Sequence, residues 1–352
     1  MLHPNLIPNQ KTAREALILL DKITEKHRQT LFVHDPFGSI IGSITDGDIR
    51  RGLIKGLNID DAVRLFMNTG FYHFLRDEDI DLKQLKKLRT ENIKIIPLLN
   101  ADKTLHKVIN LNNIKSLLPV SVLIMAGGIG SRLKPLTDKT PKPMLPVGEK
   151  PIIEHMIDRL VLYGIEDIHI SLRHMGEQII DYFGDGRSKG ISINYIREND
   201  PRGTIGAAGM LKNVKHNHII VQNADLLCNI DYEDLYLFGK NNHFDAVIST
   251  FPFQVNIPYA VVHANNHNRV DTIREKPAYT FHSNAGIYLF KTEILDLIPK
   301  KVKFDTPDLL NQLLDKGYMV GNFPYIDYWL DIGRREDYLK AQEDIKHIKL
   351  HV

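Results

Sequence analysis

The segment from Val122 to Val147 places the strongest constraint on the fold, and its sequence is VLIMAGGIGSRLKPLTDKTPKPMLPV. It begins with an apolar run, Val122 to Met125, of the length of one buried parallel strand. Gly127, Gly128 and Gly130 then allow the backbone to turn sharply and to bring its N–H groups close to a ligand. The segment therefore predicts a buried strand that ends in a ligand-binding turn.

Positive charge follows this turn at Arg132, Lys134, Lys139 and Lys142, with Asp138 as the acidic residue among them. Backbone amides that cradle oxygens, together with fixed cations, suit a triphosphate. The turn is not a Walker A loop, because no Gly-Lys-Ser/Thr ends it. It is not the dinucleotide fingerprint either, because an Arg-Leu pair stands where the third glycine is needed. The alternative is an ordinary glycine-rich surface turn with solvated lysines.

The residues after the turn carry a resemblance to a known family. Pro135, Thr137 and the run Pro141-Lys142-Pro143 follow Arg132 in order. The segment resembles the signature of the sugar-1-phosphate nucleotidyltransferases, Gly-Gly-x-Gly-Ser/Thr-Arg-Leu-x-Pro-Leu-Thr followed by Pro-Lys-Pro. The resemblance covers residues 120–342 and implies a doubly wound, mostly parallel, Rossmann-like α/β domain. It also implies that a nucleotide contacts Ala126, Gly127, Gly128, Gly130 and Ser131, that Arg132 binds the leaving pyrophosphate and that Lys142 binds the α-phosphate.

The length of 352 residues predicts two domains, which we place at residues 1–118 and 119–352. Charged residues (25%) and apolar residues (43%) are at levels ordinary for a soluble globular protein. A net charge of +2 gives no support for a nucleic-acid surface, and no apolar run is long enough to span a bilayer. The single Cys228 and the absence of a signal-peptide pattern at the N-terminus predict a reducing, cytoplasmic location.

The region before residue 118 contains an internal repeat. Apolar spacing predicts a helix over Thr12 to Ile23, and two short strands, Leu31 to Val33 and Ser39 to Ile44, joined by a turn. A second helix is expected to open at Thr45-Asp46-Gly47-Asp48. The sequence Leu31 to Ile49 aligns without a gap on Ile96 to Ile114, which predicts a second copy of the strand–turn–strand–helix order packed face to face with the first.

The run Thr-Asp-Gly-Asp-Ile-Arg-Arg resembles the end of a cystathionine-β-synthase-type (CBS) motif, and two such motifs normally pair into one α+β regulatory module. The resemblance implies that Thr45 and Asp48 hold the ribose of an adenine-nucleotide effector, a role that a carboxylate accepting from vicinal hydroxyls can perform. The second copy has Asn110 and Asn113 at these positions, so at most one complete ribose site is expected. A module that only packs or dimerises is the alternative.

Strand-like and helix-like segments alternate from Leu117 onward, as in a doubly wound parallel sheet. In such sheets the ligand lies beyond the carboxyl ends of the strands, so the phosphate loop and acidic residues should converge there. The predicted helices are Ile152 to Tyr163 and Glu177 to Phe183, and the predicted strands are Ile168 to Leu172, Ile191 to Ile196 and Ile219 to Gln222.

Glu198 is predicted to recognise the nucleotide base. In the family, the residue five positions before the glycine at Gly203 contacts the base, and Gln is usual there for uracil or thymine. A carboxylate only accepts hydrogen bonds, and guanine offers two adjacent donors on one edge, so Glu198 favours GTP. Gly203 and Thr204 are predicted nucleotide contacts. The alternative is that Glu198 is a solvated strand end.

The resemblance assigns the catalytic Mg²⁺ to Asp225 and Asp331. Two carboxylates from separate segments suit Mg²⁺, which takes few protein ligands and completes its shell with phosphate oxygens and water. Each aspartate could instead cap a helix, and Asp331 is the stronger case, because a final helix is predicted soon after Gly333.

Four further residues are assigned to the sugar phosphate by resemblance: Tyr259, Glu275, Lys276 and Asn284. Glu275-Lys276-Pro277 matches the family's Glu-Lys-Pro, and Asn284 begins the Asn-Ala-Gly-Ile-Tyr strand that lines the sugar pocket. Ala260 stands where the family usually has glycine, so the pocket is expected to be narrower. A solvated Glu-Lys pair is the alternative for the first motif.

The combined prediction is a transferase that converts an NTP, preferably GTP, and a sugar 1-phosphate into an NDP-sugar and pyrophosphate. Paired CBS modules on this fold resemble enzymes that supply GDP-activated glucosamine for legionaminic-type surface glycans, which suggests glucosamine 1-phosphate or a related hexose phosphate. We also expect a homo-oligomer. The alternatives are a uridylyl- or thymidylyltransferase of the same fold, or an inactive nucleotide-sensing regulatory subunit.

Overall fold

The computed structural model describes residues 3–23, 29–76, 80–300, 302–348 and 350. The chain divides into two compact units, Met1–Leu117 and Leu118–Val352. The first unit contains two three-stranded sheets, and the second is built around one seven-stranded sheet.

The first unit alternates short strands and helices. Its first sheet has the order β1-β2-β3 and its second has the order β4-β5-β6. In order, the elements are β1 (Leu6–Pro8), α1 (Ala13–Lys22), β2 (Leu31–His34), β3 (Ile40–Ile44), α2 (Asp46–Ile54), β4 (Phe74–Leu75), α3 (Leu82–Thr90), β5 (Ile95–Leu99) and β6 (Leu105–Asn110). The predicted first helix and strand pair are confirmed, and Thr12 caps α1 in a capping box with Glu15.

The internal repeat is visible in the strand register. Leu31 pairs with Ile44 in the first hairpin, and Ile96 pairs with Ile109 in the second, which is the same pairing under the predicted alignment. Both hairpins also carry a register irregularity at the corresponding step. The two hairpins share an apolar cluster of Phe32, Ile40, Ile95 and Leu99, and the predicted packing of the two copies is confirmed.

The predicted helix at the end of the second copy is wrong, because residues 111–120 form no helix. In the first copy, Thr45 and Asp48 bond reciprocally to each other's backbone N–H and thereby cap α2. In the second copy the side chain of Asn110 accepts a hydrogen bond from the N–H of Asn112 (3.0 Å), which closes a turn two residues on. In the second copy the Asn110 side chain therefore closes a turn, whereas Thr45 at the equivalent position of the first copy caps a helix.

The second unit is a layered α/β structure with a mostly parallel central sheet, as predicted. The sheet order is β11-β10-β7-β12-β17-β14-β18, and β17 runs antiparallel to both neighbours while the other pairings are parallel. The strands of this sheet are β7 (Ser121–Met125), β10 (Asp167–Leu172), β11 (Ser192–Arg197), β12 (His218–Asn223), β14 (Ala246–Asn256), β17 (Ala278–Lys291) and β18 (Val320–Pro324).

Helices and short ladders complete this unit. The helices are α4 (Ile152–Leu162), α5 (Gly176–Phe183), α6 (Tyr232–Asn241), α7 (Thr306–Asp315) and α8 (Arg335–Asp344), and the short strands are β8 (Pro146–Val147), β9 (Lys150–Pro151), β13 (Leu226–Cys228), β15 (Val261–Ala264), β16 (Val270–Arg274) and β19 (Trp329–Asp331). The helices and strands predicted between residues 152 and 222 are confirmed to within a residue or two at their ends. None of the helices described is long and apolar enough to cross a bilayer.

Strands β14 and β17 continue past the sheet as a two-stranded arm, residues 251–256 paired with 278–283. The β15–β16 hairpin lies between these two halves of the arm. Most of the arm is solvent-exposed, including the cross-strand pair Phe253 and Phe281. Predicted residues Tyr259, Glu275 and Lys276 lie in the two segments that connect this arm to the β15–β16 hairpin.

At the opposite end of the sheet, the carboxylate of Asp167 joins two strands and a loop. It accepts hydrogen bonds from the Ser121 hydroxyl (2.6 Å), from Nε2 of His169 (3.3 Å) and from the backbone N–H of Lys215 (3.4 Å). Burial alone would raise the pKa of Asp167, but the hydrogen bonds from His169 and Ser121 outweigh it and lower the pKa to about 2. The charged form is therefore the one that stabilises the fold.

We predict that Asp167→Asn destabilises the second unit by about 2 kcal/mol near neutral pH, because the folded-state pKa of Asp167 lies below its unfolded value. The difference should be complete above about pH 5 and lose roughly half its size by pH 3, since the group protonates as pH falls through this window. Urea unfolding followed by fluorescence of the single tryptophan, Trp329, measures it. Asp296→Asn, at an exposed carboxylate, is the control. A pH-independent Asp167→Asn penalty would contradict the prediction.

Candidate active site

The site is organised by one row of residues that runs across four neighbouring strands. Met125 of β7 lies level with Ser171 of β10 on one side and Asn223 of β12 on the other, and Ser171 lies level with Ile196 of β11. The strands are parallel, so each leaves the row at the same edge of the sheet. Residues two positions beyond the row are Gly127, Arg173, Asp225 and Glu198. Three predicted site residues are therefore brought to one edge.

The glycine turn begins at this edge. The N–H of Ala126 donates to the carbonyl of Ser171 (3.1 Å), which ties the turn to β10. Gly130 has a φ of +68°, a left-handed conformation that glycine adopts without strain, and precedes a short 3-10 turn, Ser131–Leu133. The Thr137 hydroxyl donates to the carbonyl of Gly130 (2.9 Å) and so holds the turn from the other side. Ser131 and Arg132 are exposed.

Glu198 lies against the glycine turn, and the alternative that it is a solvated strand end is wrong. Glu198 is only 7% exposed. A Cβ added at Gly127 would stand 2.7 Å from Oε1 of Glu198. Burial raises the pKa of Glu198, partly offset by hydrogen bonds from Ser171 and from the N–H of Arg202. Sequence reasoning missed Ser171, although a polar residue ending a buried strand beside the turn is a usable signal.

Two aspartates meet through a short antiparallel ladder. In the β13–β19 pair, Leu226 lies opposite Asp331, and the N–H of Ile332 donates to the carbonyl of Asp225 (3.0 Å). The capping alternative for Asp331 is wrong, because α8 begins only after Arg334, where the carboxylate of Asp337 accepts a hydrogen bond from the backbone N–H of Arg334 (2.8 Å). The side chain of Asp331 therefore remains available to the site.

Lys142 bridges the two carboxylates. Its Nζ lies 2.5 Å from Oδ2 of Asp225 and 3.9 Å from Oδ1 of Asp331. Partial burial and the nearby Asp225 carboxylate raise the pKa of Asp331, and the cations Lys142 and Arg132 oppose this shift. The arrangement concentrates charge of both signs at the edge where the glycine turn leaves the sheet.

The acidic pair fits a divalent cation. Oδ1 of Asp225 is buried and has no hydrogen-bond partner among the described residues, so one carboxylate oxygen is free to ligate. Carboxylate oxygens are the hard ligands that Mg²⁺ prefers. Across the part of the chain that the structure describes, no group of three or more potential ligands forms a metal cage. An ion held here would rest on two carboxylates and take its other ligands from substrate and water.

The remaining predicted residues are not all brought to this edge. The N–H of Thr204 donates to Asp305 (2.8 Å) and its hydroxyl lies 3.1 Å from that of Thr306, and Gly203 packs on the carbonyl of Phe304. The polar groups of Thr204 are therefore hydrogen-bonded to residues at the N-terminus of α7. Tyr259 is 76% exposed, and Glu275 and Lys276 are also exposed, in the segments between the arm and the β15–β16 hairpin. The roles predicted for these five residues stay predictions.

Asn284 lies where the arm joins the sheet. Its Oδ1 accepts from the N–H of Gly286 (2.9 Å), and its Nδ2 donates to the Tyr288 hydroxyl (2.7 Å). The neighbouring Trp329 donates to the carbonyl of Ala285 (2.9 Å), which links β19 and hence Asp331 to β17. Sequence analysis did not single out Trp329, although it is the only tryptophan of the chain and lies two residues before Asp331.

Known proteins that are similar in sequence to this chain agree with this architecture. The model of the nucleotidyl transferase family matches residues 121–348, and the chain belongs to this family. A UTP–glucose-1-phosphate uridylyltransferase of Synechocystis is 30% identical over 259 residues, which is 66% of this chain and 66% of the relative. A mannose-1-phosphate guanylyltransferase of Mycobacterium tuberculosis is 29% identical over 231 residues, 64% of each. The chain thus spans 62–66% of the length of the first curated relatives it matches.

A solved structure shows the same fold. HddC from Yersinia pseudotuberculosis, complexed with GMP-PN, superposes with a TM-score of 0.51 at 29% identity, covering 64% of this chain and 99% of that one. The family match lies within the second unit, so the CBS interpretation of the first unit stays a prediction.

We predict that Gly127→Ala costs about 1–2 kcal/mol of unfolding free energy, because its Cβ would displace the buried carboxyl of Glu198. Gly128→Ala is the matched control: nothing lies within 4 Å of its added Cβ, and its φ is not positive. The Gly127→Ala cost should shrink in a Glu198→Ala background. Urea unfolding of the four variants measures both effects, and equal costs at the two glycines would contradict the contact.

Proposed function

We propose that this chain transfers a nucleotidyl group from an NTP to a sugar 1-phosphate and releases pyrophosphate. The observation that carries the proposal is the convergence of Lys142, Asp225 and Asp331 beside the glycine turn at the carboxyl edge of the sheet. Family membership supports it, as do the names of the uridylyl- and guanylyltransferase relatives.

The reaction needs little from the protein except position and charge. An oxygen of the sugar phosphate attacks the α-phosphorus in line with the departing pyrophosphate, so one P–O bond forms as another breaks. That oxygen is already an anion, and neither a general base nor a protein nucleophile is required. In this proposal the amides of Gly127, Gly128 and Gly130 cradle the triphosphate, Arg132 binds the leaving pyrophosphate and Lys142 binds the α-phosphate.

We assign a Mg²⁺ cofactor to Asp225 and Asp331. Bound there, the ion supplies positive charge to the phosphate oxygens of the substrates. Oδ1 of Asp225 supports this assignment, because it is buried and has no hydrogen-bond partner among the described residues. Asp331, which does not cap α8, supplies the second carboxylate.

We propose GTP as the preferred nucleotide. In this proposal the carboxylate of Glu198, which lies beside Gly127, accepts from two adjacent donors, which guanine offers and uracil and thymine do not. The guanylyltransferase relative and the GMP-PN complex support this choice, and the uridylyltransferase relative keeps UTP as the alternative. For the sugar we keep glucosamine 1-phosphate or a related hexose phosphate, for use in surface-glycan synthesis.

The first unit is proposed to be regulatory, with an adenine nucleotide as effector at Thr45 and Asp48. Both side chains of this pair are already bonded to each other in the cap of α2, and Asp48 also forms an ion pair with Arg51 (2.6 Å). An effector that uses Asp48 would therefore have to share or break these contacts. Homo-oligomer formation and a cytoplasmic location remain part of the proposal.

The direct test crosses GTP, UTP, CTP, ATP and dTTP against glucosamine-, N-acetylglucosamine-, mannose- and glucose-1-phosphate, with Mg²⁺, and measures pyrophosphate release. We expect release with GTP and with one of the hexose phosphates. Release confined to UTP or dTTP would overturn the role of Glu198 and keep the chemistry. No release with any pair would favour the alternative of an inactive nucleotide-sensing subunit.

We predict that Asp225→Asn lowers kcat by about 10²–10³-fold, because it removes a charged ligand from the site without changing its shape. Far-UV circular dichroism and the unfolding transition should stay near those of the wild type. Asp327→Asn, at an exposed aspartate between β18 and β19, is the matched control and should keep full turnover. Wild-type turnover in Asp225→Asn would refute the metal assignment.

A further inference from the structure

Lys142 occupies the carboxylate that the metal assignment needs. It begins a short 3-10 turn, Lys142–Met144, and its side chain is 14% exposed. At 2.5 Å, the Nζ–Oδ2 contact with Asp225 is a short charge-assisted hydrogen bond, whereas the contact with Asp331 is a 3.9 Å ion pair. The lysine is therefore bound to Asp225 in preference to Asp331.

The two oxygens of Asp225 are in unlike states. Oδ2 is bonded to the ammonium group of Lys142, and Oδ1 is buried without a partner. A divalent cation on this carboxylate would stand close to the ammonium group, and the two positive charges would repel each other at short range. The side chains of Lys142 and Asp225 are 14% and 26% exposed, so solvent screens this repulsion only in part. A cation bound at Oδ1 would therefore weaken the bond between Lys142 and Oδ2.

We infer that Lys142 is the resident counter-ion of Asp225, and that a divalent cation binds by displacing it. The ammonium group then becomes available for the phosphate of an incoming nucleotide. Nucleotide and metal would thus favour each other's binding, because both break the bond between Lys142 and Asp225. The metal binds Asp225 and frees the ammonium group, and the phosphate binds the ammonium group and frees Asp225. This inference rests on the proposed function only in placing the metal at Asp225 and Asp331.

A purely positioning role for Lys142 predicts the opposite sign. If the ion pair orients Asp225 for the metal, removal of the lysine weakens metal binding. If the lysine competes with the metal, removal strengthens it. The sign of the change therefore separates the two roles without any measurement of activity.

The test titrates Mn²⁺ alone, without nucleotide, and follows free Mn²⁺ by electron paramagnetic resonance. We expect Lys142→Met to bind Mn²⁺ about tenfold more tightly than the wild type, since a charge-assisted hydrogen bond no longer has to be broken. Lys142→Gln, which keeps a polar group, should shift affinity in the same direction by less. Lys291→Met is the matched control: its ion pair with Asp245 has a similar length (2.6 Å), and its affinity should equal that of the wild type.

Asp225→Asn separates failure of this inference from failure of the proposed function. If Asp225→Asn binds Mn²⁺ as the wild type does, the metal is not at Asp225, and both the metal assignment and this inference are wrong. If Asp225→Asn loses binding while Lys142→Met and Lys142→Gln are unchanged or weaker than the wild type, only the displacement of Lys142 is overturned.

Discussion

The pairing of β7 between β10 and β12 is the constraint on which the rest of the site depends. It places Met125, Ser171 and Asn223 in one row, so that the chain leaves neighbouring strands at a common edge. Gly127 and Asp225 follow two residues beyond that row. A shift of one residue in either pairing would reverse which side chains face the site, because alternate residues of a strand point to opposite faces.

The acidic and basic side chains at this edge stabilise one another. Asp225 and Asp331 repel each other, and Lys142 together with Arg132 offsets that repulsion. The β13–β19 ladder holds the two aspartates at neighbouring positions, and the Trp329 hydrogen bond to Ala285 attaches that ladder to the main sheet. The N-cap residue of α8 is Arg334, so the side chain of Asp331 is not used to cap this helix. The fold thus keeps acidic groups together that would separate in solution.

Local features of the fold were predictable because short segments encode them. The apolar run of β7 and its glycines, and the amphipathic face of α4 ending before Gly164, each specify their own structure. The repeat in the first unit was also visible, because its two hairpins keep the same register. Its last helix was not, since the outcome depended on whether Asn110 would cap a helix or close a turn.

The site was predictable in its members more than in its contacts. Resemblance indicated Glu198, Asp225 and Asp331, but the burial of Glu198 against Gly127 depends on packing between strands. The bond between Lys142 and Asp225 joins residues far apart in the chain, and no local pattern encodes it. Thr204 was predicted from a local motif, yet the start of α7 uses its polar groups.

A crystal structure with a non-hydrolysable GTP analogue and Mn²⁺ tests the central claim most directly. Our account predicts an anomalous peak for Mn²⁺ in contact with carboxylate oxygens of both Asp225 and Asp331, with the Nζ of Lys142 moved onto phosphate and the carboxylate of Glu198 on the guanine edge. A peak away from both aspartates, or a lysine still bonded to Asp225 beside the metal, would contradict it.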